Sequence, residues 1–387
     1  MNRQRLNTLL TKNESIKLDF KERLSLKTEW EKKELAKDVS AIANSKGGRG
    51  YIIFGIEDKT KKVVGIEPVE YQEEQIQQII SQRCDPPVTI KFDTVDYDGK
   101  TVGVLTIYKS SQKPHQILQS GSFYLRRGST TDIARREEIA SMLQDSGLLQ
   151  YETIPLYNIG VDQLNTGIIV KYLEKSGLKV EYERFESLYP LLEGLGILSR
   201  EEDSGKYCPT IGGLLVFGYR PQLFLTHTGI KVINGKDNNK QYFYGDITSM
   251  LDEIEEYFKN LITHPEYPLA ELSEAIANAA VHRDYFSYGR EIVIYISSDY
   301  IEISNPGALY HRYDIYELLN ENNPYRRNNW LYHRLLVLDE KKRFLKTGSS
   351  LKRIKNSFSR FGKVKFISNE ERNLFKVILP GGFKTIC

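Results

Sequence analysis

The hydrophobic period changes twice near the N-terminus, and that change confines this stretch to a strand, a helix and a second strand. Ile16, Leu18 and Phe20 alternate with Lys17, Asp19 and Lys21, the pattern of a strand with one apolar and one polar face. Thr28-Glu-Trp-Glu31 then reads as a capping box opening a helix, Leu35, Val39 and Ile42 recur at helical spacing, and Gly47-Gly48 ends it. Tyr51-Ile-Ile-Phe-Gly-Ile56 reads as the second strand. Asp19 and Lys21 share one strand face, Glu14 precedes them, and Glu57 or Asp58 ends the second strand. Carboxylates from neighbouring strand ends can meet in such a unit.

Acids and a lysine in that pattern suit a phosphodiester. Hard Mg²⁺ or Mn²⁺ takes carboxylate oxygens and activates water, while a lysine orients the phosphate. The ordinary alternative is a solvated surface bearing Lys and Asp, and the spacing does not choose between them. Further along, Val88 to Phe92 and Thr101 to Tyr108 flank Tyr97-Asp-Gly-Lys100 and read as a hairpin.

Three blocks together, Glu-Ser-Ile-Lys-Leu-Asp-Phe-Lys from Glu14, Glu-Leu-Ala-Lys-Asp-Val-Ser-Ala-Ile-Ala-Asn-Ser-Lys-Gly-Gly ending at Gly48, and Ile-Ile-Phe-Gly-Ile-Glu-Asp ending at Asp58, resemble the Schlafen AlbA-type domain. Tyr124-Leu-Arg-Arg-Gly-Ser-Thr-Thr131, Ala134 and Glu138 resemble its closing hairpin and helix. The resemblance implies a three-carboxylate metal site at Glu14, Asp19 and Glu57, with Asp58 as the neighbouring candidate and Lys21 assisting. It also implies a nucleic-acid partner, RNA before DNA. Many bacterial relatives carrying this domain are regarded as nucleic-acid-binding regulators, so the resemblance by itself does not imply cleavage.

The bulk properties narrow the class. A chain of 387 residues holds two or three cores at about 100–200 residues each. There is no apolar run of about 18 residues to span a membrane, and Met1-Asn-Arg-Gln-Arg lacks a signal peptide's apolar stretch, so the expectation is cytoplasmic. Cys84, Cys208 and Cys387 are isolated, which argues against a disulfide framework. A net charge of +3 is too mild to identify a polyanion partner by itself. Its distribution is more informative: Lys341, Lys342, Arg343, Lys346, Lys352, Arg353, Lys355, Arg360, Lys363 and Lys365 form a block without an acid. Such a block is either a solvated face or, with Arg126, Arg127, Arg135 and Arg136, a source of phosphate contacts. Leu351, Ile354, Phe358 and Phe361 predict an amphipathic helix there, with Lys352, Arg353, Lys355 and Arg360 mostly toward solvent.

Residues 151–208 read as a helical connector with a short hairpin at Arg200 to Tyr207, a pattern shared with winged-helix modules. Gly213-Leu-Leu-Val-Phe-Gly-Tyr219 is expected to begin the strands of a last domain. Within that domain Glu274 and Asn278 lie four apart on one helix face, an acid and an amide that suit water activation and Mg²⁺ ligation beside a nucleotide. Strands at Ile292 to Ile296 and Tyr300 to Ile303 follow, then the turn Asn305-Pro-Gly-Ala308. His282-Arg-Asp-Tyr285 mimics a kinase catalytic loop, but position 289 is Gly where that loop needs Asn.

Pro209 to Pro221, Glu274 to Tyr285, Ile303 to Leu309, Arg327-Asn328 and Gly348 to Ile354 resemble a divergent GHKL ATPase domain of the RecG-related regulators. The resemblance implies ATP with Mg²⁺, Glu274 facing the catalytic water, Asn278 on the metal, Asn305 toward adenine, Gly307 beside the base, and Gly348-Ser-Ser350 as the phosphate loop. Asn305 stands where GHKL enzymes prefer Asp, and Ser350 replaces a loop glycine, so a nucleotide sensor is expected rather than a motor.

The fold class is therefore expected to be α+β. A mixed-sheet Schlafen AlbA-like domain spans 1–150, the connector 151–208, and a GHKL-like α/β sandwich 209–387. The leading functional expectation is a metal-dependent endoribonuclease gated or sensed by ATP. The alternative is a non-catalytic DNA-binding transcriptional regulator. An end at Cys387 leaves no room for an appended helix-turn-helix and tilts the expectation toward the enzyme. A third reading keeps the GHKL fold only for a homodimer.

Overall fold

The computed structural model describes residues 3–381 except 59, 68–71, 180, 310–314, 316–318, 320–325, 345–349 and 370–371. The chain divides into two compact units, Met1–Leu149 and Gln150–Cys387.

The first unit runs α1 (Arg3–Leu10), β1 (Leu18–Lys21), α2 (Glu29–Asn44), β2 (Gly50–Phe54), α3 (Glu73–Ser81) and β3 (Cys84–Asp85). It continues with β4 (Ile90–Tyr97), β5 (Lys100–Ile107), β6 (Gln116–Ile117), β7 (Ser122–Arg127), β8 (Thr130–Ile133) and α4 (Arg136–Asp145). One four-stranded sheet has the order β1-β2-β5-β4 and another β3-β6-β7-β8. β1 pairs parallel with β2, as a β-α-β crossover requires, while β2, β5 and β4 are antiparallel neighbours. Leu18, Phe20, Tyr51, Ile53, Val102 and Val104 face α1 through Leu6 and Leu9. Ile52, Phe54, Leu105 and Ile107 face α2 through Leu35, Val39 and Ile42. The capping box is present at the start of α2, with Thr28 and Glu31 bonding each other's amides. α2 approaches β2 so closely that a Cβ on Gly50 would meet Ile42 Cγ2 at 2.1 Å.

β1 is shorter than the alternation suggests. Ser15 and Leu18 close a tight turn through backbone bonds in both directions, 2.9 and 3.3 Å, which takes Ile16 and Lys17 out of the strand. The Lys17 ammonium goes instead to the Ile42 and Ser45 carbonyls, at 2.6 and 2.9 Å.

The second unit contains α5 (Thr166–Lys175), α6 (Tyr189–Gly194), β9 (Leu198–Arg200), β10 (Tyr207–Pro209), α7 (Ile211–Phe217), β11 (Ile230–Asn234), β12 (Lys240–Phe243) and α8 (Ile247–Leu261). Then come α9 (Leu269–Val281), β13 (Ile292–Ile296), β14 (Tyr300–Pro306), α10 (Asn329–Leu338), α11 (Ser350–Ser357), β15 (Lys365–Asn369) and β16 (Leu374–Pro380). Its six-stranded sheet has the order β12-β11-β13-β14-β16-β15. Only β11 and β13 pair parallel among these neighbours. Tyr151, Leu164, Ile169, Leu192 and Ile197 join Phe217, Ile230, Ile276 and Ile303 in one core, so residues 151–208 pack as part of this unit.

The run from Gly213 corrects the expectation of a strand. It is the helix α7, all seven of its residues are buried, and the Thr210 side chain accepts from the Gly213 amide as N-cap. A short, uniformly apolar run has no period by which to separate helix from strand; the cap decides. The overall class is α+β. No helix among the described residues is long and apolar enough to cross a membrane.

Candidate functional sites

Asp19 and Lys21 alternate with Leu18 and Phe20 and therefore lie on the α2 side of the sheet. There Arg126 Nη2 donates to Asp19 Oδ1 at 2.8 Å, and Lys21 Nζ lies 3.3 Å from Asp19 Oδ2 and 2.7 Å from Asp38 Oδ2. Thr131 Oγ1 closes the ring, donating to Asp38 Oδ1 at 3.1 Å and accepting from Arg126 Nη1 at 3.5 Å. The strand, helix α2 and the β7–β8 hairpin thus meet in one ionic network. Burial opposes the Lys21 charge, but Asp38 and Asp19 outweigh it and hold the ammonium above its ordinary value.

Glu14 accepts from the Phe20 amide at 2.9 Å. Burial, with the like charges of Asp19 and Asp58, raises its carboxyl above the usual range, against the Phe20 hydrogen bond. Asp58 is thus the loop acid close to Glu14. Glu57 turns to the Thr60 hydroxyl within its own loop, because Gly55 at φ 90° redirects the chain at the end of β2. Among the described residues no group of three or more His, Cys, Asp or Glu side chains is arranged to hold a metal ion. Asp38 was not anticipated. Its signal was its place three residues after Leu35 and four before Ile42, inside the buried helix stripe.

The second constellation forms on α9 and β14. Ile301, Ile303 and Asn305 form the inward row of β14. Glu274 and Asn305 are buried, and Asn305 Oδ1 has no hydrogen-bond partner. Arg353 of α11 donates to the other Glu274 oxygen through Nε, at 3.0 Å, and through Nη2. Asn278 Nδ2 donates to Ser350 Oγ at 2.7 Å. Burial raises the Glu274 carboxyl, with Ser350 and Arg353 pulling the other way. Gly307 adopts φ 119°, and a Cβ there would meet Arg327 Nη1 at 1.9 Å, so the Arg327 guanidinium fills the space a side chain would take. Gly348 lies outside the described residues. The buried Asn305 Oδ1 acceptor, the Asn278 carbonyl oxygen and the Glu274 carboxylate are oxygen donors of the kind that suit a nucleotide's hard cation and amino group.

The basic candidates divide. Arg126, expected at a nucleic-acid surface, is buried at 7% exposure and spent on Asp19. Arg127 is bound to Asp132 and Glu138. Arg353, expected mostly toward solvent, turns inward to Glu274. Lys352 and Lys355 are exposed on α11, whose Ile354 faces the core.

Residues 14–135 match the family model described as "Schlafen, AlbA_2". Residues 289–379 match the one described as "Putative ATP-dependent DNA helicase recG C-terminal". The chain pairs a Schlafen AlbA_2 domain with a RecG-like C-terminal domain. The acidic network lies within the Schlafen AlbA_2 match, and Asn305, Gly307 and Arg353 lie within the RecG-like one. This pairing marks a nucleic-acid-related protein with an ATPase-like domain. The chain is similar to the solved DIP2311 protein of Corynebacterium diphtheriae, at 17% identity and TM-score 0.43, over 98% of this chain and 69% of that one. It is also similar to the N-terminal domain of a RecG-related protein from Nitrosomonas europaea, at 19% identity and TM-score 0.24, over 34% of this chain and 89% of that one. No curated protein matches.

Proposed function

We propose that this is a cytoplasmic nucleic-acid-binding protein, RNA before DNA, whose RecG-like domain binds ATP with Mg²⁺. The observation that carries the binding reading is the surface of Lys352, Lys355, Arg360, Lys363 and Lys365, exposed and without an acidic partner among the described residues. Unpaired cations on α11, the turn and loop after it and the start of β15 suit phosphate contacts, which release counterions. The nucleotide reading is supported by Asn305 Oδ1, a buried acceptor without a hydrogen-bond partner on the strand packed against α9. When bound, ATP·Mg²⁺ brings a phosphoanhydride whose charge the metal partly neutralises. Asn278 offers its carbonyl oxygen to that metal, since its amide nitrogen is given to Ser350. Glu274 is the residue able to accept a proton from water, yet Arg353 occupies one of its oxygens, which favours binding over turnover.

A second reading keeps metal-dependent cleavage in the Schlafen AlbA_2 domain. It is favoured by Glu14, whose carboxyl Asp19 and Asp58 help to raise, a like-charge strain that a divalent cation would relieve. Against it, Asp19 and Asp38 are already neutralised by Arg126 and Lys21. Incubation with structured RNA and duplex DNA in Mg²⁺, Mn²⁺ or EDTA separates the readings. Binding that persists in EDTA with intact nucleic acid is the expected result. Metal-dependent cleavage, lost in a folded Glu14→Gln variant, would replace the first reading with the second.

A further inference from the structure

The residue that blocks Glu274 is placed to do more than block. The Arg353 side chain is 41% exposed, whereas Glu274 opposite it is 1% exposed. The arginine can therefore leave the pair while the carboxylate stays. Glu274 and Asn278 are one helical turn apart, about 5–6 Å along α9. If Asn278 faces the metal and Glu274 faces the attacking water, the terminal phosphate belongs at the Glu274 end, where the guanidinium already lies. We propose that Arg353 is a nucleotide-binding residue that exchanges the Glu274 carboxylate for the terminal phosphate of ATP. A guanidinium matches both groups with the same planar pair of N–H donors, so the exchange costs it little geometry. The exchange also frees Glu274 at the moment a water could need it. This inference rests on the proposed binding of ATP·Mg²⁺ to the RecG-like domain.

The test is calorimetric titration of the full chain with ATP·Mg²⁺ and with ADP·Mg²⁺. The parent protein should bind ATP more tightly than ADP. Arg353→Ala should weaken ATP binding by about tenfold and leave ADP within about twofold, because only ATP reaches the residue. Arg353→Lys keeps a cation opposite Glu274 and should show the same ATP-selective loss in smaller measure, which covers the case where the alanine variant does not fold. Equal losses for ATP and ADP, unchanged ATP affinity in both variants, or tighter ATP binding by Arg353→Ala would each overturn the assignment while leaving nucleotide binding intact. A parent protein that binds neither nucleotide overturns the nucleotide reading itself, and the assignment with it.

Discussion

Asp19 illustrates how one acid can be chemically suggestive and structurally committed. Its carboxylate is the counterion of Arg126, whose side chain is 3% exposed, so removing it strands a buried charge. Asp19→Ala should therefore destabilise the first unit by about 3–5 kcal/mol, and Asp19→Ala with Arg126→Leu should recover much of that loss. Urea denaturation followed by circular dichroism measures both; an Asp19→Ala variant as stable as the parent would contradict the buried pair. Two histidines carry a pH prediction. Burial, with Arg283 nearby, pushes His227 down to about 4, and burial, with Arg327 and Arg326, does the same to His282. Each is a base depressed on folding, so the unfolded chain binds more protons between about pH 6.5 and 4. Stability of the second unit should be full above about pH 6.5 and fall as pH drops toward 4. Replacing His227 with Gln should flatten that fall, as seen in melting temperature against pH.

At the scale of elements, caps and charge placement yield measurable consequences. Thr28→Ala removes one half of the box that opens α2 and should cost about 1 kcal/mol, read by chemical denaturation. α11 is the more informative element, since its inward side reaches Glu274 and Asn278 while Lys352 and Lys355 stay in solvent. Converting Lys352 and Lys355 to Glu should weaken RNA binding and reduce the slope of log affinity against log salt by about one to two units. An unchanged slope would assign those lysines to solubility. Because the same helix bears both surfaces, nucleotide and nucleic-acid affinities should be reciprocally linked if α11 moves with ATP.

At the scale of the whole molecule, each unit has its own core, so thermal unfolding should resolve two transitions. ATP·Mg²⁺ at 100 times its dissociation constant should stabilise the second unit by about 2.7 kcal/mol and raise its transition alone. Differential scanning calorimetry checks this, and a shift confined to the first unit would contradict the placement of the nucleotide site.

Much of this architecture was determined locally and could be read from the chain. The α2 capping box, the alternation in β1 and the turn between β4 and β5 act between near neighbours, which is why the α+β class was legible; the pairing of the two domains was legible only through the blocks that resemble the two families. The helical spacing of Leu351, Ile354 and Phe358 likewise marked α11. Local rules could not decide α7, where an unbroken apolar run fits either element until Thr210 caps it. Nor could they show where charges end. Arg126 meets Asp19 across 107 positions and Arg353 meets Glu274 across 79, and both looked like surface cations in the sequence. Asp38 and Arg353 acquired their roles only when strands and helices distant in the chain met. The reason is physical: backbone preference and period are properties of adjacent residues, whereas the neutralisation of a buried charge depends on whatever the folded chain brings within a few ångströms.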